Sequence, residues 1–347
     1  MPANPAPGAR IAAAPAVFTL FYPFFLKGFH WSVEAGSTLM PALMLALAFA
    51  VPALGLAVAL KLGRIAQPDA GQLWAKRLAL LAVAAPPVYV AMGVLLYMAK
   101  DPIADTTAWL ILWGALAISG LLALRRTPVL ASPAAAARQA SGAPSLSPAL
   151  RVAHGVSAVA ILLLFLAMHL SNHLAGLLSE AAHRHLMDVF RLVYRAHVVE
   201  PLIVLLFLFQ VVSGLALLRV HTRRPADFFR TLQIGTGAYL VFFILGHMNS
   251  VFIYARSFAN IKTDWDFATG APTGLIHDAW NIRLVPHYYL GVLFVLAHLA
   301  LGARIVALNH GVQRERADAW TKAGIVLAAL IALLIMLGMS GLHFAAA

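Results

Sequence analysis

The chain has 347 residues, 62% of them hydrophobic and 11% charged, with a mean hydropathy of +0.84. A soluble domain carries about a quarter charged residues, so the composition excludes a soluble protein, and the unbroken apolar runs exclude a membrane β-barrel in favour of transmembrane helices. The net charge of +12 falls in the loops between apolar runs, which the positive-inside rule explains without a nucleic-acid partner.

Residues 1–37 form an N-terminal segment with a Pro/Ala-rich start that is a poor signal peptide and is expected to be retained. Its aromatic run Val17–Phe29, interrupted by Pro23, reads as an interfacial or short re-entrant helix or as a true span. Residues 38–126 read as a three-span block, with spans near 38–62, 75–99 and 106–124. Residues 127–150 are rich in Ala, Ser, Pro and Gly and read as a linker. Residues 151–347 carry five more spans, near 151–177, 197–219, 231–256, 283–308 and 319–343. The expected fold is an all-α polytopic bundle of about eight transmembrane helices, three plus five. The stretches 40–69 and 200–227 also read alike, each with an early Pro, a Gly two-thirds through and a basic turn before an Asp, which is compatible with a duplication or with chance.

The loops 61–77, 125–151, 219–230 and 304–322 hold 16 of the 25 Lys and Arg residues with four acidic ones, whereas 100–105, 177–200 and 256–283 hold seven basic and eight acidic. The first set is therefore expected to be cytoplasmic, in a bacterial inner membrane, with the lipid bilayer as surroundings.

Intramembrane histidines are costly and mark functional sites. The fifth apolar run, RVAHGVSAVAILLLFLAMHLSN (151–172), carries His154 and His169, about 22 Å apart along a helix and about 60° apart around it. His169 and His247 fall in the outer halves of two parallel spans, a disposition that suits bis-histidine ligation of a b-type haem. His298 lies in the inner half of an antiparallel span and His287 near the outer start of the same span. His173, one turn beyond His169, suits a propionate or quinone hydrogen bond or simple interfacial solvation. With no cysteine, disulfides, iron–sulfur ligation and covalent haem attachment are excluded within the chain.

Four passages of the second block resemble the five-helix cytochrome b subunit of succinate:quinone oxidoreductases and fumarate reductases: RVAHGVSAVAILLLFLAMHLSN (151–172), SEAAHRHLMDVFRLVY (179–194), TLQIGTGAYLVFFILGHMNSV (231–251) and HYYLGVLFVLAHLALGARI (287–305). The resemblance covers about 200 residues and leaves the first block unexplained. It implies two stacked haems, a quinone substrate, and flavoprotein and iron–sulfur subunits docked on the cytoplasmic face. Carried over by position, His169 and His247 ligate the outer haem. For the inner haem His298 matches one ligand position, but the other is Gln210, and the family's Arg after Gln233 is Ile234. The expectation is therefore one haem b, with Gln210 and His298 left as a degenerate inner site hydrogen-bonded to each other; a second haem with a displaced ligand is the alternative. His154, His173 and His287 are candidate propionate or quinone contacts, and Glu180, Asp188 and Glu200 candidate proton exchangers, Glu200 doubling as a helix-start residue. The metal is expected on His169 and His247 alone. No residue is expected to be catalytic in the dicarboxylate reaction. A stand-alone or differently partnered cytochrome, a haem-free transporter built on two helical blocks and a structural anchor are the competing readings.

Overall fold

A computed structural model describes residues 7–66, 68–125 and 147–344. All secondary structure among them is helical, and seven helices are long and apolar enough to span a membrane, or eight if one bent pair counts as a single span. The chain is an integral membrane protein. Residues 127–146 of the expected linker lie outside the described residues, while Ser147 caps the following helix by accepting from Ala149 N at 3.2 Å.

In the first half, α1 (Pro7–Thr19) and α2 (Tyr22–Glu34) precede α3 (Met40–Gly63), α4 (Ala70–Val83), α5 (Ala85–Met98) and α6 (Asp105–Arg125). The N-terminal segment is not a separate element. α1 packs against α3, α4 and α6, and α2 against α3. Tyr22, Leu26 and Phe29 enter a core with Tyr89, Trp109 and Trp113, and Trp109 Nε1 donates to the Thr19 carbonyl at 2.9 Å.

The single span expected at 75–99 is instead two helices bent by 68°. Pro86 and Pro87 stand in the first turn of α5; neither has an N–H to give to the preceding turn, and their rings collide with its carbonyls, so a straight helix cannot pass through Ala84. Pro52, inside α3, leaves that helix continuous.

The second half runs α7 (Pro148–Ala175), the short amphipathic α8 (Glu180–Tyr194), α9 (Val199–His221), α10 (Phe228–Ala259), α11 (Leu284–Asn309) and α12 (Arg314–Met339). α7 contains a π-helical turn at Leu162–Leu166, and α10 becomes π-helical over Asn249–Ala259. α7 packs against α9 and, through its last turns, α12; α10 packs against α11 and α12 against α11. At the end of the bundle remote from the basic loops, Arg184 pins α8 to the connection after α10. It pairs with Glu180 at 2.6 Å, Asp266 at 2.9 Å and Asp264 at 3.4 Å.

The two halves interlock. α10 lies against α3, α4 and α5. The Asp residues of the two similar stretches cap successive helices in the same way, Asp69 accepting from Gln72 N at 2.7 Å and Asp227 from Arg230 N at 2.8 Å. Their turns also meet: Ala226 N donates to the Gly63 carbonyl at 2.8 Å, and Lys76 Nζ to the Arg224 carbonyl at 3.3 Å. A Cβ on Gly63 would stand 2.9 Å from Thr231 Oγ1, so this approach requires glycine. At the opposite end Arg283, at the start of α11, pairs with Asp105 of α6 at 2.6 Å and lies over the Tyr89 and Trp280 rings. The Arg283 side chain is 7% exposed, so removing its partner strands a buried charge, at a cost of about 3–5 kcal/mol. Asp105→Ala is expected to lower the thermal midpoint of the detergent-solubilised protein strongly, whereas Asp101→Ala, which removes only an exposed turn contact from Ile103 N, lowers it little.

Candidate functional site

Two pairs of imidazoles face each other inside the second half, one above the other. His169 on α7 and His247 on α10 have ring centres 6.0 Å apart, with planes at 67°. His154, one end of α7 away, and His298 on α11 have ring centres 6.5 Å apart, with planes at 79°. Rings rather than packed backbone connect α7 to the α10–α11 layer at both levels.

The expected inner pair is corrected by this geometry. Gln210 does not reach His298. Its Nε2 donates to the His154 carbonyl and to Ser157 Oγ, each at 2.7 Å, and so fastens α9 to α7. The ring opposite His298 is His154, assigned from the sequence to a propionate or quinone contact. Counting along the second span leads to a glutamine, whereas the ring that faces His298 belongs to the first histidine of α7.

The inner rings are oriented by hydroxyls. Ser213 Oγ donates to the Phe209 carbonyl at 2.6 Å and lies 2.7 Å from His154 Nδ1. Thr236 Oγ1 donates to the Leu232 carbonyl at 2.9 Å and lies 3.0 Å from His298 Nδ1. With each hydroxyl proton given to its own helix carbonyl, the oxygen can accept an Nδ1–H, the arrangement in which Nε2 keeps its lone pair. A hydrogen-bonded Nδ1–H is the usual support of an imidazole that ligates a metal through Nε2.

The outer rings are oriented by stacking. Phe165 lies on His169 with ring centres 4.8 Å apart at 21°, and Phe243 on His247 at 5.7 Å and 11°. Phe165 belongs to the π turn of α7, and the π segment of α10 begins two residues after His247. The extra residue of a π turn rotates the rest of the helix by about 100°, bringing His154 and His169 within about 40° of one another, on the other side of the axis from the offset of an unbroken α-helix.

Both ring separations match the spacing of two imidazoles on one metal. Two imidazoles on opposite sides of one metal stand about 6 Å apart between centres, given metal–nitrogen bonds of about 2 Å and about 1 Å from nitrogen to ring centre. Rings sharing such an axis can take any mutual twist. Among the described residues no group of three His, Cys, Asp or Glu side chains could hold a metal ion. Glycines line the inner rings: a Cβ on Gly237 would lie 3.2 Å from His298 Cε1, and one on Gly214 3.6 Å from His154 Cε1. The absence of a side chain at these two positions lets the inner imidazoles lie close against the neighbouring helices.

Beyond the outer pair, further imidazoles continue towards α8. His173 lies 4.8 Å from His169 between ring centres, and His183 5.3 Å from His173. His183 Nε2 accepts from Asn172 Nδ2 at 3.1 Å. His287 stands against Phe243, ring centres 4.8 Å apart. Among the described residues the Nδ1 atoms of His173, His183 and His287 are buried without a protein partner. His183 was missed in the sequence because it lies in a connecting segment; its amphipathic helix folds it back under α7.

Of the carboxylates expected to exchange protons, Glu180 is held by Arg184 and Glu200 by Arg256 at 2.8 Å. Glu200 is thus a tie between α9 and α10 rather than a plain helix-start residue. Asp188 has no ion pair among the described residues.

The chain matches no protein-family model, no curated protein and no solved structure.

Burial, together with Arg184 and Arg191, pushes His183 down to about 4. In the unfolded chain a histidine titrates near 6.5, so the unfolded state gains a proton first on acidification. The contribution of His183 to stability is full above about pH 6.5 and is lost as pH falls towards 4. The thermal midpoint is expected to drop over that window, and to drop less steeply in His183→Gln; identical slopes would show that His183 is not a buried neutral imidazole.

Proposed function

We propose that the protein is a membrane cytochrome b with two bis-histidine haem b sites, His169 with His247 and His154 with His298. In this reading it carries electrons between a quinone near α8 and a redox partner at the end bearing the basic loops. The observation that supports it most is the pair of ring separations, 6.0 and 6.5 Å, on one shared helix. A b-type haem supplies one-electron chemistry through its iron, while the protein sets ligation and surroundings.

The residues around the sites do the rest. Ser213 and Thr236 fix the Nδ1–H of the inner ligands, and Phe165 and Phe243 fix the planes of the outer ones. The buried Nδ1 atoms of His173 and His287 are positioned to donate hydrogen bonds to the carbonyl oxygens of a quinone, and Asp188 is the carboxylate left to exchange protons with water. No cysteine is present for an iron–sulfur cluster, so the partner brings its own redox groups. The resemblance to succinate:quinone oxidoreductase subunits favours flavoprotein and iron–sulfur subunits. The excess of basic residues in loops on one side favours a cytoplasmic position for that side, in a bacterial inner membrane.

The test is haem counted per chain in the purified protein, with the four ligand variants. Two haems are expected. His154→Ala and His298→Ala each remove one and spare the other, and His169→Ala and His247→Ala do the reverse. One haem that survives both His154→Ala and His298→Ala would reduce the reading to a single outer site, and no haem would overturn it.

A finer prediction concerns the supporting hydroxyl. Thr236→Val removes the acceptor of His298 Nδ1–H and makes that ligand less basic, which favours reduced iron. The midpoint potential of the inner haem is expected to rise while the outer stays unchanged in a redox titration; equal shifts in both would contradict a local role.

A further inference from the structure

A cavity of about 410 Å³ opens between the start of α10, the end of α11 and the start of α12, on the side of the basic loops. Arg230, Arg304 and Arg314 line it with Asp227, and Phe229 and Leu301 form part of its apolar wall. None of these residues belongs to the histidine pairs.

Arg304 is the buried member, its side chain 7% exposed. Its Nε donates to Asp318 Oδ1 at 2.6 Å, and its guanidinium lies 4.3 Å over the Phe229 ring. These contacts hold the guanidinium plane, and among the described residues its two Nη atoms have no protein acceptor. Arg230 Nη1 donates to Gln233 Oε1 at 2.8 Å, a neutral partner. Arg314 reaches Asp227 only at 3.6 Å. Three guanidinium groups thus meet two carboxylates, Asp227 and Asp318, which leaves one positive charge and several N–H groups directed at a partly enclosed space. A guanidinium held in place with free N–H groups is matched by a phosphate oxygen pair, and basic cavities between helix ends on the cytoplasmic side suit lipid headgroups.

We propose that this cavity binds a phosphate monoanion through Arg230 and Arg304, presented in the membrane as the phosphodiester of an anionic phospholipid whose chains lie along the apolar wall. Free phosphate shares the same oxygens and is separated from lipid by the test. The site uses none of the four paired histidines, although Gln233 in its wall lies one turn from Thr236 beside His298.

The experiment is native mass spectrometry of the full chain in detergent, titrated in separate arms with phosphatidylglycerol, phosphatidylcholine and inorganic phosphate. Phosphatidylglycerol is expected to bind at least about tenfold more tightly than phosphatidylcholine. Arg230→Gln, which leaves the Arg304–Asp318 pair intact and so guards against misfolding, is expected to weaken it about tenfold, as is Arg304→Gln; this is the scale of one charge-assisted hydrogen bond. Inorganic phosphate binding that depends on both arginines without lipid binding would uphold the oxyanion site and overturn its lipid source. Equal binding of both lipids, or binding indifferent to both substitutions, would overturn the site. Phosphate binding by haem-depleted but not haem-loaded protein would also overturn it, since a haem propionate would then be the anion that fills the cavity.

Discussion

An imidazole inside a membrane is costly unless its two nitrogens are accounted for, and four of this chain's imidazoles face each other across one gap. Two of the three rings on α7, His154 and His169, stand opposite His298 of α11 and His247 of α10, with ring centres 6.5 and 6.0 Å apart. Apolar packing in lipid has no hydrophobic driving force of its own, so polar contacts determine which helix faces which. At the inner level the Ser213 and Thr236 hydroxyls lie within hydrogen-bond distance of the Nδ1 atoms and Gln210 ties α9 to α7. At the outer level aromatic stacking orients the ring planes, and the π turn sets the phase of α7.

The first half supports this gap from one side only. It meets the second half chiefly through α10, with further contacts to α11 and its start at Arg283 and between the turns at Gly63 and Ala226. The His247 and His298 helices are thereby braced against a second bundle, while the α7 side depends on α9 and α12. A duplicated ancestor would account for the matching Asp caps of α4 and α10 and for the way their turns touch, but the first half carries no histidine within its spans. Its contribution to the fold is mechanical: it clamps the layer that carries two of the four rings.

Much of this was legible in the sequence. Span positions followed from hydropathy, because lipid admits no other backbone solution than a helix here. The break at Ala84 was signalled by Pro86–Pro87, though a window average merges the two halves into one span. His169 and His247 were paired by depth alone, since parallel helices of known direction fix depth. His154 and His298 were not, because a neighbouring span offered Gln210 at the counted position, and no count can tell which helix crosses the gap. The burial of Tyr22 was equally hidden: it depends on Trp109, about ninety residues away, donating to the Thr19 carbonyl.

The most direct measurement of the central claim is electron paramagnetic resonance of the oxidised, purified protein. Two imidazoles bound to ferric iron give a low-spin centre, and planes twisted by 67° and 79° give strongly anisotropic ones. Two such low-spin signals are expected, one lost in His154→Ala and the other in His169→Ala. A single low-spin signal untouched by His154→Ala, or a high-spin centre at either level, would contradict the paired-histidine reading.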